Sequence, residues 1–152
     1  MVIGIIGENC SGKSTLAGEI KAKIGAEVIT GKDYLRMAKS ESEAITLFKT
    51  KLSDAVHGAN IIYVTSDMDQ IKLLPDGAVK VLVTADIDTI KERFKERMHG
   101  NLPLPVEKML ENKHGMFDTV PVDYKYDGVN GDASELIINM ISEEQDAKIV
   151  NE

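Results

Sequence analysis

The chain has 152 residues, of which 43% are hydrophobic and 28% charged, and its formal net charge is −7. This length predicts one domain covering residues 1–152, and the negative charge argues against nucleic acid polymers or anionic membranes as partners. The apolar runs are too short to span a bilayer, the N-terminus lacks the pattern of a secretion signal, and one cysteine cannot form a disulfide framework, so we expect a cytoplasmic protein.

The first predicted elements are a strand, a glycine-rich loop and a helix. Residues 2–6 form a short apolar run, and apolar residues recur at helical spacing from Leu16 to Ile24. Between them, residues 7–14 have the pattern G-x-x-x-x-G-K-S, whose glycines let the backbone wrap closely around an anion. Strand, loop and helix therefore occur in the order of a phosphate-binding P-loop.

Each part of a P-loop has a separate task in nucleotide binding. Backbone amides and the N-terminus of the following helix bind phosphates, the lysine reaches the β- and γ-phosphates, and the serine hydroxyl ligates Mg²⁺. The residues predicted to bind nucleotide here are Gly7, Glu8, Asn9, Cys10, Ser11, Gly12, Lys13, Ser14 and Thr15. Lys13 is also the first predicted catalytic residue, whereas the Cys10 thiol is interpreted as incidental.

Downstream, short apolar runs alternate with helical patterns. Strands are predicted at residues 26–30, 61–65, 79–84 and 126–129, and helices at 33–38, 44–56, 71–74, 86–98, 106–114 and 134–141. The helix at 33–38 is expected to begin at Asp33 as its N-cap, and the polar tail at 142–152 is expected to fray. The alternation predicts a three-layer α/β/α fold with a parallel five-stranded sheet. Ligands bind at the carboxyl ends of such strands, so the loops there should meet at one site.

Arginine is scarce, with three arginines against fifteen lysines. Because its guanidinium suits bidentate phosphate recognition, the positions of Arg36, Arg93 and Arg97 are informative. Arg93 and Arg97 are four residues apart and therefore share one face of the predicted helix. The alternative for this pair is a solvated helix surface tied by Glu92 and Glu96.

Three segments carry a family resemblance. Thr30-Gly31-Lys32-Asp33-Tyr34-Leu35-Arg36 is similar to T-G-D-x-L-R, residues 92–97 resemble E-R-x-x-x-R, and residues 126–131 resemble Y-D-x-V-I-N. With the P-loop, these make residues 1–141 resemble the small P-loop kinases of the nucleoside monophosphate kinase group, nearest to cytidylate and adenylate kinases. The resemblance implies ATP and Mg²⁺ as cofactors, an acceptor-binding region at about 31–60 and a small lid at about 97–118.

The resemblance also implies roles for individual residues. Arg36 would hold the phosphate of the acceptor. Arg93 would stack on the donor adenine, and Arg97 would contact the transferring phosphates. The resemblance implies that the acceptor-binding residues are Thr30, Gly31, Asp33 and Arg36. It also implies that backbone near Asp132 and Ala133 would border the adenine. The chain departs from the family in three ways: Lys32 is inserted after the glycine, the D-G-[FY]-P-R segment is replaced by residues 65–69, and no arginine follows Arg97.

Two aspartates leave alternatives open. Asp67, after the third strand, is predicted to orient Mg²⁺ through water together with Ser14, or else to cap a helix. Asp33 would contact sugar or cap its helix if the acceptor is a phosphate, and would accept a hydroxyl proton if the acceptor is an alcohol. The three histidines, His57, His99 and His114, have no metal-ligand spacing and are predicted to be surface or packing residues.

Three functions remain open at this stage. The first is ATP- and Mg²⁺-dependent phosphoryl transfer to a nucleoside monophosphate. The second is a kinase of a small alcohol or sugar metabolite, similar to shikimate or gluconate kinases. The third is a nucleotide-binding module without turnover. A small-molecule acceptor is the expected partner in the first two.

Overall fold

The computed structural model describes the backbone of residues 1–151 and the side chains of residues 1–146. Five strands form one sheet: β1 (Val2–Ile6), β2 (Glu27–Thr30), β3 (Ile61–Thr65), β4 (Val79–Thr84) and β5 (Tyr124–Asp127). Their order is β2-β3-β1-β4-β5, and each neighbouring pair is parallel. The predicted parallel five-stranded sheet is confirmed. Its carboxyl ends lie along one edge and define where a ligand binds.

Helices connect the strands. They are α1 (Lys13–Ile24), α2 (Glu41–Ala55), α3 (Met68–Ile71), α4 (Ile87–Arg97), α5 (Leu104–Lys113) and α6 (Ala133–Asn151). Side chains cap four of them: Ser40 accepts from the Glu43 amide, Asp67 from the Asp69 amide, Asp86 from the Thr89 amide, and Asp132 from the Ser134 amide. None of the helices in the part of the chain that the structure describes is long and apolar enough to cross a membrane.

Several predicted boundaries are wrong, including that of α3, which is Met68–Ile71 instead of residues 71–74. The helix at 33–38 is a 3₁₀ helix, Asp33–Met37, in which Asp33 is the first helical residue and Lys32 stands at the N-cap without a side-chain bond. Strand β5 begins at Tyr124 instead of residue 126. Helix α6 continues through Asn151, beyond its predicted end at residue 141. The expected fraying of the tail stays a prediction, and Glu152 lies outside the described residues.

The sheet is buried on both faces, as expected of parallel strands. Alternate residues of β1 point to opposite faces, so Ile3 and Ile5 pack with α1 and α6, whereas Val2 and Ile6 pack with α2. The three-layer arrangement is therefore confirmed.

Helices α4 and α5 form a small helical unit beside the P-loop, with a hydrophobic core separate from the two on the faces of the sheet. Ile90 and Leu110 meet in its core, and Cys10 of the P-loop packs into the same cluster. Lys91 ties the two helices together through Glu107 at 3.4 Å and Glu111 at 2.5 Å. Helix α5 lies within residues 97–118, the predicted lid, whereas α4 ends where that region begins. The lid itself stays a prediction.

Candidate functional site

The loops at the carboxyl edge of the sheet surround one cavity of about 920 Å³. The P-loop forms one side, and the loop after β2 and the turn after β3 form another. Arg93 and Arg97 reach the cavity from α4, and the turn after β5 completes it. The sequence-based expectation that these loops meet is confirmed. A cavity of this size accommodates a small molecule or a nucleotide.

The P-loop is built where β1 passes into α1, with little free space around its backbone. A Cβ at Gly7 would lie 2.6 Å from the carbonyl oxygen of Val83, and Gly12 has a φ of +111°. Cys10 also has a positive φ, +64°, and its side chain packs against Ile90 and Leu110. The thiol therefore anchors the P-loop to the helical unit, although the sequence interpretation treated it as incidental.

Lys13 is the buried cation of the site. Its Nζ donates to the backbone oxygen of Glu8 at 2.7 Å. Burial lowers the pKa of the amine to about 8, and the positive charge of Arg97 adds to this effect. A polyphosphate beside the amine would favour the charged form again, because an opposite charge offsets desolvation. Lys13 is thus placed for an anionic ligand.

Arg93 joins two loops of the site. Its Nη1 donates to the Cys10 carbonyl at 3.1 Å, and its Nη2 donates to the Gly128 carbonyl at 3.0 Å. Arg97, one turn later, also lines the cavity but is exposed. Among the described residues, neither arginine forms an ion pair with Glu92 or Glu96. The carbonyl contacts of Arg93 contradict the solvated-surface alternative for that residue, whereas Arg97 is exposed and leaves it open. The roles of adenine stacking and phosphate contact stay predictions.

The turn after β5 approaches the P-loop closely. A Cβ at Gly128 would lie 1.8 Å from the Ser11 carbonyl oxygen, so only glycine fits there. Asp127 supports the turn by accepting the Val129 amide at 2.8 Å and the Asn130 amide at 3.1 Å. The pattern Y-D-x-V-I-N does not single out Gly128, because the close approach is to a residue far away in the chain.

Several predicted nucleotide-binding residues do not line the cavity. Asp132 instead caps α6 by accepting the Ser134 amide at 3.0 Å, and Ala133 is buried. Gly128, Val129 and Gly131 occupy the expected place. Ser11 is buried, with a hydroxyl that has no partner, and the Glu8 carboxylate turns towards the end of α5. Gly7 does not line the cavity either, whereas Asn9, Cys10, Gly12, Lys13, Ser14 and Thr15 do.

The opposite side of the cavity is formed by Thr30, Gly31 and Lys32. The Tyr63 hydroxyl donates to the Gly31 carbonyl at 2.8 Å and holds this corner. Burial raises the pKa of the Tyr63 phenol, which keeps the donor protonated. Thr30 and Gly31 therefore line the cavity, together with the cation of the inserted Lys32, and their acceptor-binding role stays a prediction.

Asp33 and Arg36 do not line the cavity, and both are exposed. The physical reason is an aromatic stack on the other side of the 3₁₀ helix. Tyr34 stacks on Phe48 with ring centroids 5.0 Å apart, and Phe48 meets the edge of Tyr63 at 4.8 Å. Burial of Tyr34 rotates its exposed neighbours away from the site. The predicted acceptor contacts of Asp33 and Arg36 are corrected accordingly.

The predicted metal ligands are Ser14 and Asp67, which both line the cavity. The Asp67 carboxylate accepts the Asp69 amide at 2.8 Å, so the helix-cap alternative is confirmed. One carboxylate oxygen can cap while the other receives a water. Within residues 1–146, no group of three or more His, Cys, Asp or Glu is arranged to hold a metal ion by itself. The donor set fits Mg²⁺, which takes few protein ligands and keeps waters and substrate phosphates.

Comparison with known proteins shows the fold. No family model and no curated protein match the sequence. The structure matches a gluconokinase from Sinorhizobium meliloti (TM-score 0.58, 15% identity, 90% of this chain and 86% of that chain). It also matches a shikimate kinase from Acinetobacter baumannii (0.62, 14%, 97% and 94%) and a deoxyadenosine kinase from M. mycoides (0.54, 16%, 97% and 100%). The chain has the fold of the P-loop kinases.

These structural matches cover almost the entire chain, so the similarity is one of the whole architecture. At these identities it is a likeness of fold, and the narrower resemblance to nucleoside monophosphate kinases stays a prediction.

Proposed function

We propose that this P-loop protein transfers the terminal phosphate of ATP to a small acceptor, with Mg²⁺ as cofactor. The observation that carries the proposal is one continuous cavity with two ends. Lys13 and the P-loop line one part of it, which we assign to the donor, and Thr30, Gly31 and Lys32 line another, which we assign to the acceptor. Donor and acceptor would therefore be held together, which is the main requirement of phosphoryl transfer.

The proposed mechanism depends on positioning and charge neutralisation. The P-loop amides and Lys13 hold the β- and γ-phosphates, and Arg97 approaches the transferring group from α4. Mg²⁺, held by Ser14 and through water by Asp67, would neutralise charge on the phosphate oxygens. Arg93 keeps the P-loop in register with the turn after β5 through its two carbonyl bonds.

The first candidate acceptor is a nucleoside monophosphate, because residues 30–36 are similar to the segment that binds the acceptor in nucleoside monophosphate kinases. In this chain Lys32 is the cation placed to hold its phosphate, since Arg36 is directed away. A small alcohol or sugar metabolite is the second candidate, because the Asp67 carboxylate lies in the cavity where a hydroxyl proton would be accepted. The two candidates therefore depend on different residues: a phosphate acceptor on Lys32, and an alcohol acceptor on Asp67.

The test is a transfer assay with labelled ATP, Mg²⁺ and a panel of nucleoside monophosphates, gluconate and shikimate. Lys13→Ala should abolish transfer. Lys32→Ala should raise the acceptor KM by about 10-fold, the loss expected for one charge-assisted hydrogen bond. Arg36→Ala serves as the matched control, with no effect expected.

Two outcomes would contradict the proposal in different ways. Loss of acceptor binding in Arg36→Ala, with Lys32→Ala unaffected, would restore the family role of Arg36. No transfer to any acceptor, with ATP binding intact and sensitive to Lys13→Ala, would leave a nucleotide-binding module.

A further inference from the structure

Gln70 is a buried polar residue that sequence reasoning did not identify. It lies on α3, is 8% exposed, and lines the acceptor end of the cavity beside Thr65 and Asp67. Buried amides normally pair all their polar atoms within the protein. Within the described part of the chain, the amide oxygen of Gln70 has a hydrogen-bond partner and the amide nitrogen has none.

The oxygen end of the Gln70 amide is occupied. Thr65 Oγ1 donates to Gln70 Oε1 at 2.5 Å and accepts the backbone N–H of Asp67 at 3.1 Å. The Asp67 backbone oxygen is a second acceptor for the Thr65 hydroxyl but lies 3.5 Å away, so the hydroxyl proton is directed to the much closer Gln70 oxygen. This short chain of hydrogen bonds fixes which end of the amide is the oxygen.

The nitrogen end is available. Within residues 1–146, Gln70 Nε2 has no protein hydrogen-bond partner, and the one polar side-chain atom both buried and unpaired is Ser11 Oγ. The Gln70 amino group therefore keeps access to the cavity that its residue lines. With the oxygen occupied, the side chain offers a ligand donors and no acceptor.

Asn9 of the P-loop has a similar arrangement. The Ser66 hydroxyl donates to Asn9 Oδ1 at 3.2 Å, and Asn9 also lines the cavity. Two successive hydroxyls at the end of β3 thus bind the oxygen ends of two cavity-lining amides.

We propose that Gln70 is a specificity-determining residue that donates a hydrogen bond to an atom of the acceptor molecule that has a lone pair and no proton of its own, called here a lone-pair atom. The matching chemistry is a carbonyl oxygen, a carboxylate oxygen or an unprotonated ring nitrogen. A polyol, which offers only hydroxyl groups, matches less well. This inference rests on the proposed function, because it assigns the acceptor end of the same cavity.

Two sources supply this chemistry, and matched pairs of compounds separate them. Cytidine 5′-monophosphate carries a base carbonyl and a ring nitrogen, and ribose 5-phosphate lacks the base. Gluconate carries a carboxylate, and sorbitol lacks it. Binding of each compound is measured by calorimetry with ADP and Mg²⁺ present, so that the measurement does not require turnover. The wild-type protein should prefer the lone-pair member of one pair.

Gln70→Met keeps the side-chain length and removes the donors. It should weaken binding of the preferred compound by about 5- to 100-fold and reduce the preference within that pair. Gln70→Glu replaces donors by acceptors and should weaken it further. Thr65→Val removes the hydroxyl that fixes the amide and should cause an intermediate loss. Gln145→Met, at an exposed position of α6, is the control that should change nothing.

The outcomes separate this inference from the proposed function. ADP affinity and melting temperature should stay unchanged in Gln70→Met, and if that variant unfolds, the isosteric Gln70→Glu provides the same comparison. Equal binding by wild type and Gln70 variants, or no binding of either lone-pair compound, would overturn the inference even if phosphate transfer is observed. Gln70-dependent binding without transfer would support it while contradicting the kinase proposal.

Discussion

The carboxylate of Glu8 lies 3.0 Å from Nδ1 of His114, and its second oxygen accepts the backbone N–H of Gly115 at 3.1 Å. These residues are more than a hundred positions apart in the chain. The backbone oxygen of Glu8 also accepts the Lys13 amine. One residue of the P-loop therefore connects the buried Lys13 with the end of α5, at a position where the sequence predicted a surface or packing histidine.

Breaking this contact should loosen the end of α5. A double-mutant cycle with Glu8→Gln and His114→Ala should give a coupling free energy of about 0.5–1 kcal/mol, a modest value because the pair is partly exposed. Amide hydrogen exchange at residues 110–118 should accelerate in both single variants. Glu92→Gln on the exposed face of α4 is the control. Strictly additive effects would show that the contact does not couple the two segments.

The lowered pKa of Lys13 predicts a pH effect on stability. Folding brings this pKa from 10.5 to about 8, so between these values the unfolded chain binds more protons than the folded one. The free energy of unfolding should therefore rise with pH across this window and lose that dependence below about 8. Lys13→Arg should remove this part of the pH dependence, because its guanidinium stays charged. Urea unfolding as a function of pH provides the measurement.

The same pKa predicts proton uptake when a polyphosphate binds. The phosphates should recharge the amine, so ATP binding at about pH 9, between the two pKa values, takes up a proton. Calorimetric heats of binding should then depend on the ionisation enthalpy of the buffer in wild type, and not in Lys13→Arg. Identical buffer dependence in both proteins would assign the proton to another group.

Gly128 and Gly18 offer a matched pair of substitutions. A Cβ at Gly128 would lie 1.8 Å from the Ser11 carbonyl oxygen, whereas nothing lies within 4 Å of one at Gly18 in α1. Gly128→Ala should displace the P-loop, destabilise the protein by about 3 kcal/mol or more and weaken ATP binding. Gly18→Ala should stabilise it by up to about 1 kcal/mol through helix propensity. Thermal melts and ATP titrations test both, and a neutral Gly128→Ala would contradict the close approach.

Alanine substitutions of Arg93 and Arg97 should affect different properties, stability in the first case and phosphate transfer in the second. Arg93→Ala leaves the Cys10 and Gly128 carbonyls without their donor, so it should cost about 1–3 kcal/mol of stability and weaken ATP binding. Arg97→Ala should leave the melting temperature unchanged and slow phosphate transfer by about 100-fold, as for loss of one charge-stabilising donor. If Arg97→Ala changed stability and Arg93→Ala changed only turnover, the two roles would have to be exchanged.

Patterns of nearby residues were sufficient to predict the architecture. The apolar runs gave the five strands, and the P-loop followed directly from residues 7–14, because its conformation depends on glycines and amides close together in the chain. The convergence of loops at one edge also followed, since parallel strands connected by helices place their carboxyl ends together. The parallel sheet and the cavity at its edge agree with these predictions.

The contacts within the site depended on residues distant in sequence. Asp33 and Arg36 are in the segment that the family motif indicates, yet burial of Tyr34 against Phe48 directs them outward. Gln70 enters the cavity because Thr65 binds its oxygen, and Glu8 meets His114 through the packing of α5. A linear motif specifies the residues and their local backbone. Which side chains reach a ligand is set by the burial of their neighbours, and that is a property of the packed chain.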